Sequence, residues 1–252
     1  MRIAVIGAGA VGGHFGARLA RAGNELAFIA RGRTLGALRT SGIRIDSPLG
    51  DFIIQPVTAT NDPAEVGPVD AVLVCVKAWQ VAEAAASLKP LLHEETCVVS
   101  LSNGIEASDH LERVLGAGPV VGGLCHSFSL VLAPGHVQNY GSPLQIEFGE
   151  LGGGPSPRLD RLAAAFKGTD IQAAVSADIH VGLWTKLLTV GVNTGVGAAT
   201  RRPVGVWRSH PETRRLAQQA MDEILAVGSA FGVAFPAATK DHVWAIWDSM
   251  SP

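Results

Sequence analysis

The chain has 252 residues, 47% of them hydrophobic and 17% charged, which suits one large or two modest domains with real cores and excludes a disordered chain. Its formal net charge of −2 offers no basic face for nucleic acid or an anionic membrane surface. No apolar run reaches the ~18–20 residues of a membrane span, and the first strand signal starts at Met1, so neither a transmembrane helix nor a signal peptide is expected.

The run Ile3-Ala4-Val5-Ile6 reads as a buried strand. It breaks into Gly7-Ala8-Gly9-Ala10-Val11-Gly12 and then opens a helix with an apolar face at Phe15, Leu19 and Ala22. A G-x-G-x-x-G turn between strand and helix is the pattern of a dinucleotide site. Gly7 permits the tight turn, Gly9 lets the backbone approach a pyrophosphate, and Gly12 lets the helix lie close to the strand. Ala8, Ala10 and Val11 contribute backbone, and the helix N-terminus presents N–H donors to the phosphates.

The second strand is expected over Glu25 to Ala30. An NAD-binding chain usually carries Asp or Glu near this point, about 20 residues past the glycines, to bond the ribose hydroxyls. Here Arg31-Gly32-Arg33 follows instead. A guanidinium suits a 2′-phosphate, so Arg31 points to NADP(H), with Arg33 as a second contact. A solvated loop arginine is the plainer alternative.

A short helix (Leu35 to Thr40) and a strand pair (Gly42 to Asp46, Asp51 to Val57) come next, then a turn at Thr60-Asn61-Asp62-Pro63. The β-branched run Ala71 to Val76 has the character of a strand buried on both faces of a parallel sheet. Helix Gln80 to Leu88, strand Cys97 to Leu101, helix Ile105 to Leu115 and strand Val120 to Leu124 continue the alternation. This pattern predicts a doubly wound α/β domain. Val137 to Asn139 and Leu144 to Phe148 read as antiparallel edge strands around Gly141-Ser142-Pro143, and helix Arg158 to Phe166 returns to the sheet. From about Asp178 the pattern is helical only: Ile179 to Val192, Pro211 to Phe231 and Pro236 to Trp247. The expected division is residues 1–176 and a smaller all-helical domain, 177–252. Cys75, Cys97 and Cys125 are odd in number and lack C-x-x-C spacing, which reads as reduced thiols of a cytoplasmic protein.

Three polar positions interrupt apolar contexts. Lys77 follows the strand Ala71 to Val76, and Asn103-Gly104 follows Cys97 to Leu101. Ligands of open α/β sheets bind at strand carboxyl ends, so both should face the cofactor crevice. A surface lysine and a simple Asn-Gly turn are the alternatives. Lys186 sits in the apolar helix Val181 to Leu188, where it either snorkels or serves as a general acid. Asn193, seven residues later, shares its helix face. Gly191, Gly195 and Gly197 weaken helical continuity there. His14 and His126 read as structural or solvated, and no spacing suggests a metal site. Trp244 and Trp247 read as packing residues on a last helix that needs cover, from further residues or from a second subunit in a homodimer.

Together these elements resemble the ketopantoate reductase (2-dehydropantoate 2-reductase) family. The resemblance rests on Gly7-x-Gly9-x-x-Gly12, Arg31, Val76-Lys77-Ala78-Trp79-Gln80, Ser102-Asn103-Gly104 and Leu183-Trp184-Thr185-Lys186-Leu187, in that order across most of the chain. It implies a Rossmann-type domain followed by an all-helical one, with the active site in the cleft between them. It also implies Arg31 on the NADPH 2′-phosphate, Lys77 and Asn103 along the nicotinamide and substrate crevice, and Lys186 as general acid to a 2-oxo acid substrate. The implied reaction takes 2-dehydropantoate to pantoate in pantothenate synthesis.

Two positions depart from the pattern. The family carries substrate-binding asparagines one and two turns after the lysine, where this chain has Val190 and Thr194, with Asn193 displaced by one place. The family also runs on through further helices bearing a serine and a glutamate that hold substrate, whereas this sequence stops at Pro252, so either it is an incomplete chain or the protein lacks those ligands. A paralogous reductase of another branched 2-oxo acid or carbonyl therefore stays open, as does a non-catalytic NADP(H)-binding protein.

Overall fold

The computed structural model describes residues 1–141 and 144–250, so the Ser142-Pro143 part of the expected turn lies outside the described residues. The chain divides into two compact units, Met1–Ile179 and His180–Pro252. In the first, β1 (Arg2–Ile6), α1 (Ala10–Arg21) and β2 (Glu25–Ile29) form the opening βαβ crossover. Helix α2 (Gly32–Ser41) leads to β3 (Ile43–Asp46), β4 (Phe52–Ile54) and β5 (Thr58–Thr60). Then come β6 (Ala71–Val74), α3 (Val81–Ala86), β7 (Cys97–Ser100), α4 (Ala107–Leu115) and β8 (Val120–His126). The unit closes with β9 (Ser129–Ala133), β10 (His136–Asn139), β11 (Gln145–Gly149), α5 (Pro157–Ala165) and β12 (Gln172–Val175).

Eight strands form one sheet in the order β12-β11-β8-β7-β6-β1-β2-β5. From β5 to β8 all pairings are parallel, and β11 joins antiparallel to β8. The pleat sends Ile3 and Val5 of β1 to one face and Ala4 and Ile6 to the other, and all four are buried. Phe15 and Leu19 of α1 cover the first face beside Phe28, Leu73 and Val99. Val81, Ala85 and Leu88 cover the second with Leu111 of α4. Burial on both sides explains why these strands read as unbroken apolar runs.

A second, four-stranded sheet, β4-β3-β10-β9, corrects the expectation that Val137 to Asn139 flanks the main sheet. Its parallel β3–β10 pairing sets Arg44 beside His136, Ile45 beside Val137 and Asp46 beside Gln138. Local pattern carries no sign of that partner. Strands β5, β9 and β12 were also absent from the sequence reading, being three to five residues long and largely exposed.

In the second unit, α6 (Ile179–Thr200), α7 (Val204–Trp207), α8 (Pro211–Ala230) and α9 (Thr239–Ser249) surround Leu188, Val192, Val196, Met221 and three tryptophans. Helix α6 runs through Gly191, Gly195 and Gly197 without a break, contrary to the expectation of weakened helix. Its buried stripe of Leu188, Val192 and Val196 outweighs the ~1 kcal/mol that each interior glycine costs. Trp207, Trp244 and Trp247 pack edge-to-face or tilted with ring centres 4.9–6.4 Å apart, and Arg214 lies 3.8 Å over the Trp244 ring. Val243, Trp244 and Trp247 of α9 are buried in one cluster with Leu188 and Val192 of α6, Trp207 of α7 and Met221 of α8. No helix among the described residues is long and apolar enough to cross a membrane.

Candidate active site

Strand β1 lies between β2 and β6, so the chain reverses its direction of travel across the sheet there. Such a switch point opens a crevice at the strand carboxyl ends. A cavity of about 620 Å³ occupies this place, lined by the turn after β1, the end of β2, and the segments after β6 and β7.

The glycine turn is built as its spacing requires. Gly7 has φ of +92°, a left-handed conformation that strains any residue with a Cβ. A Cβ on Gly12 would sit 2.1 Å from the Gly7 carbonyl oxygen and 2.8 Å from Cys75 Cβ, so only glycine lets α1 approach β1 so closely. Gly9 differs: a Cβ there would meet nothing within 4 Å, and its φ is an ordinary −84°. The protein's own packing does not require glycine at this position, whereas a ligand pressed against the backbone would. Gly9 caps α1 without any side-chain hydrogen bond, which leaves the first-turn amides directed outward. Gly7, Gly9, Ala10 and Val11 line the cavity, while Ala8 and Gly12 lie behind it. A pyrophosphate fits this cradle.

Arg31 stands at the end of β2 and lines the same cavity. Its Nη1 donates to Glu83 Oε1 at 3.0 Å, an exposed pair that joins the β2 end to the first turn of α3. Lys77 and Asn103 also line the cavity. Neither ends its strand directly, as expected from sequence, because β6 stops at Val74 and β7 at Ser100. Ordered loops carry them instead. Ser102 Oγ donates to the Val76 carbonyl at 2.8 Å, tying the two strand exits together, and the Gln80 side chain accepts from the Lys77 amide at 3.2 Å. Gln80, Glu83, Asn61, Ser87 and Ser102 also line the cavity; Gln80 and Ser102 read only as parts of motifs and Asn61 as part of a turn, and Glu83 and Ser87 carried no functional reading. Glu83 carried one faint signal, its place three residues after the Lys77-Ala78-Trp79-Gln80 segment.

A buried polar network holds α1 against the second sheet. Arg18 Nε donates to His14 Nε2 at 2.7 Å, its Nη2 donates to Ser47 Oγ at 3.1 Å, and its Nη1 pairs with Asp170. His14 Nδ1 lies 3.3 Å from the hydroxyls of Ser127 and Ser129. Since arginine only donates, Nε2 must accept, and the ring is neutral with its proton on Nδ1. Burial first, then the Arg18 charge, lowers the His14 pKa to about 4, although Asp170 opposes the shift. His14 is therefore a positioning residue behind the glycine turn, consistent with its structural reading.

Lys186 and Asn193 belong to the helical unit, seven residues apart on α6 and both half-buried. Unbroken helix between them places Asn193 on the Lys186 face, about 10 Å along the axis. Val190 and Thr194 are both exposed, and Thr194 Oγ1 is turned back onto the Val190 carbonyl at 2.7 Å.

A parallel sheet with a glycine turn at its switch point and a cationic crevice beyond it defines a dinucleotide-binding α/β domain. Residues 3–153 match the model of the ketopantoate reductase PanE/ApbA family, and residues 178–252 match that of its C-terminal domain. A 2-dehydropantoate 2-reductase of Mesorhizobium japonicum is 30% identical, covering 94% of this chain and 78% of its own. The uncharacterized oxidoreductase YkpB of Bacillus subtilis is 29% identical over 100% of this chain and 82% of its own. The crystal structure of 2-dehydropantoate 2-reductase from Geobacter metallireducens superposes with a TM-score of 0.90 at 30% identity, covering 100% of this chain and 85% of its own. The chain belongs to the ketopantoate reductase family and is an oxidoreductase of that family, whose members are NAD(P)-dependent reductases.

Proposed function

We propose that this protein reduces a 2-oxo acid with NADPH, with 2-dehydropantoate as first substrate and pantoate, for pantothenate synthesis, as product. The observation that carries this reading is the crevice, where an unobstructed Gly9 backbone, Arg31, Lys77 and Asn103 line one cavity. The Gly7–Val11 backbone would hold the pyrophosphate and Arg31 the 2′-phosphate. NADPH, when bound, supplies a hydride to the ketone carbon. Lys77 and Asn103 are assigned to the nicotinamide end and to the substrate. Lys186 donates a proton from Nζ to the ketone oxygen as the alcohol forms, and Asn193 orients the substrate from the same helix face.

A related reductase of another branched 2-oxo acid is the second reading, favoured by Val190 and Thr194 where the family resemblance calls for substrate-binding asparagines. NADPH oxidation with 2-dehydropantoate and a panel of 2-oxo acids, by wild type and Lys186→Ala, tests both. Turnover is expected to fall at least about a hundredfold in Lys186→Ala, in line with loss of a general acid, while NADPH affinity holds. Unchanged turnover in that variant would remove Lys186 from the mechanism. Tight NADPH binding with no turnover on any substrate would leave a binding protein only.

A further inference from the structure

Glu83 is the one carboxylate among the described residues that line the crevice, and it pairs with the cation assigned to the cofactor's 2′ position. The Arg31–Glu83 pair is 3.0 Å long with side chains 73% and 68% exposed. Neither residue is needed to fill a core, and each comes from a different element: the β2 exit and the first turn of α3. The pairing is thus a property of the crevice mouth. Cancelling the Arg31 charge there changes which adenosine ribose the site favours.

We propose that Glu83 sets the cofactor preference by competing with a 2′-phosphate for Arg31 and by accepting from a free 2′-hydroxyl. This inference rests on the reading of the crevice as a dinucleotide site. A phosphate monoester brings a charge of about −1.5 to −2 and only acceptor oxygens to the guanidinium, so the Glu83 carboxylate must give up its bond and is repelled. A ribose hydroxyl is a donor and can use the carboxylate as it stands. Glu83 accordingly narrows the preference for NADPH over NADH that Arg31 confers.

The test is calorimetric titration of adenosine 2′,5′-bisphosphate, 5′-AMP, NADPH and NADH into the full chain, as wild type, Glu83→Gln and Glu83→Ala. Both variants should bind the bisphosphate and NADPH about twofold to fivefold more tightly, the range expected for removing one exposed charge contact. They should bind 5′-AMP and NADH less well, and unchanged binding of both would remove the 2′-hydroxyl contact. The tightening should shrink as salt is raised, because the groups are solvent-exposed. A merely structural Glu83 would not produce that ligand-specific salt dependence. Equal changes for the ligands with and without a 2′-phosphate would overturn the proposal, as would weaker bisphosphate binding in Glu83→Gln. If wild type binds none of the four ligands, the dinucleotide reading itself fails.

Discussion

Gly9 and Gly12 stand three residues apart in one turn, yet alanine at each should fail in a different way. At Gly12 a methyl would sit 2.1 Å from the Gly7 oxygen, 2.8 Å from Cys75 Cβ and 2.9 Å from Val5 Cγ1. Ordinary contacts between such atoms need about 3.5 Å, so α1 must move away from β1 by roughly 1 Å. Because the nearest obstruction is backbone, no rotamer change relieves it. Overpacking of this kind costs about 1–3 kcal/mol or more, offset by the ~1 kcal/mol that alanine gains over glycine inside a helix. The backbone clash puts the cost at the upper end of that range, and the resulting net loss of about 2 kcal/mol corresponds to a Tm lower by roughly 4–8 °C for a unit of this size. At Gly9 no neighbour lies within 4 Å, and only the change of cap residue matters, worth less than about 1 kcal/mol. Gly9→Ala should keep its melting temperature within about 2–4 °C. It should lose at least about tenfold in NADPH affinity, equivalent to ~1.4 kcal/mol, because its methyl takes the space a phosphate needs. Calorimetric melting with NADPH titration on both variants separates the effects. Wild-type NADPH affinity in Gly9→Ala, or wild-type melting in Gly12→Ala, would refute the reasoning.

His14 makes stability fall on the acid side of neutrality. Its folded pKa of about 4 lies below the ordinary 6.5, so between these values the unfolded chain binds a proton that the folded chain refuses. Stability is therefore flat above pH ~6.5 and drops by about 2 kcal/mol from this group by pH ~5. In urea denaturation, His14→Gln keeps an acceptor for Arg18 and should lose about 2 kcal/mol less than wild type over that range, whereas parallel profiles would exclude His14 as the source. Arg31→Ala should weaken NADPH binding far more than NADH binding. Equal losses in titration of the two cofactors would remove Arg31 as the selector.

Much of the first unit was legible because its signals are local. A buried parallel strand is apolar on both faces, a tight strand-to-helix turn demands glycine, and both facts survive in a single sequence. Lys77, Asn103 and Arg31 could be found by counting from strand ends, since an open α/β sheet gathers its strand exits in one crevice. The second sheet was not legible. Its β3–β10 pairing joins Arg44 to His136 across most of the unit, and no periodicity in either segment names the other. The glycines of α6 misled for a related reason: propensity is local, whereas the stripe of Leu188, Val192 and Val196 is held by packing.

By itself the sequence determined the strand–helix–strand succession of the opening crossover, the glycine turn, the change to helices near Asp178 and the cation after the second strand. Each depends on neighbours within a few residues, where steric and hydrophobic patterning act directly. Only the tertiary structure decided that the protein's own packing requires glycine at position 12 and not at position 9, since that distinction depends on which atoms from other segments stand nearby. It alone set His14 into a buried network with Arg18, and it alone brought Glu83 onto Arg31 across 52 residues of chain. Charge and burial act through space, so the groups that tune the site are spatial neighbours that no local spacing could name.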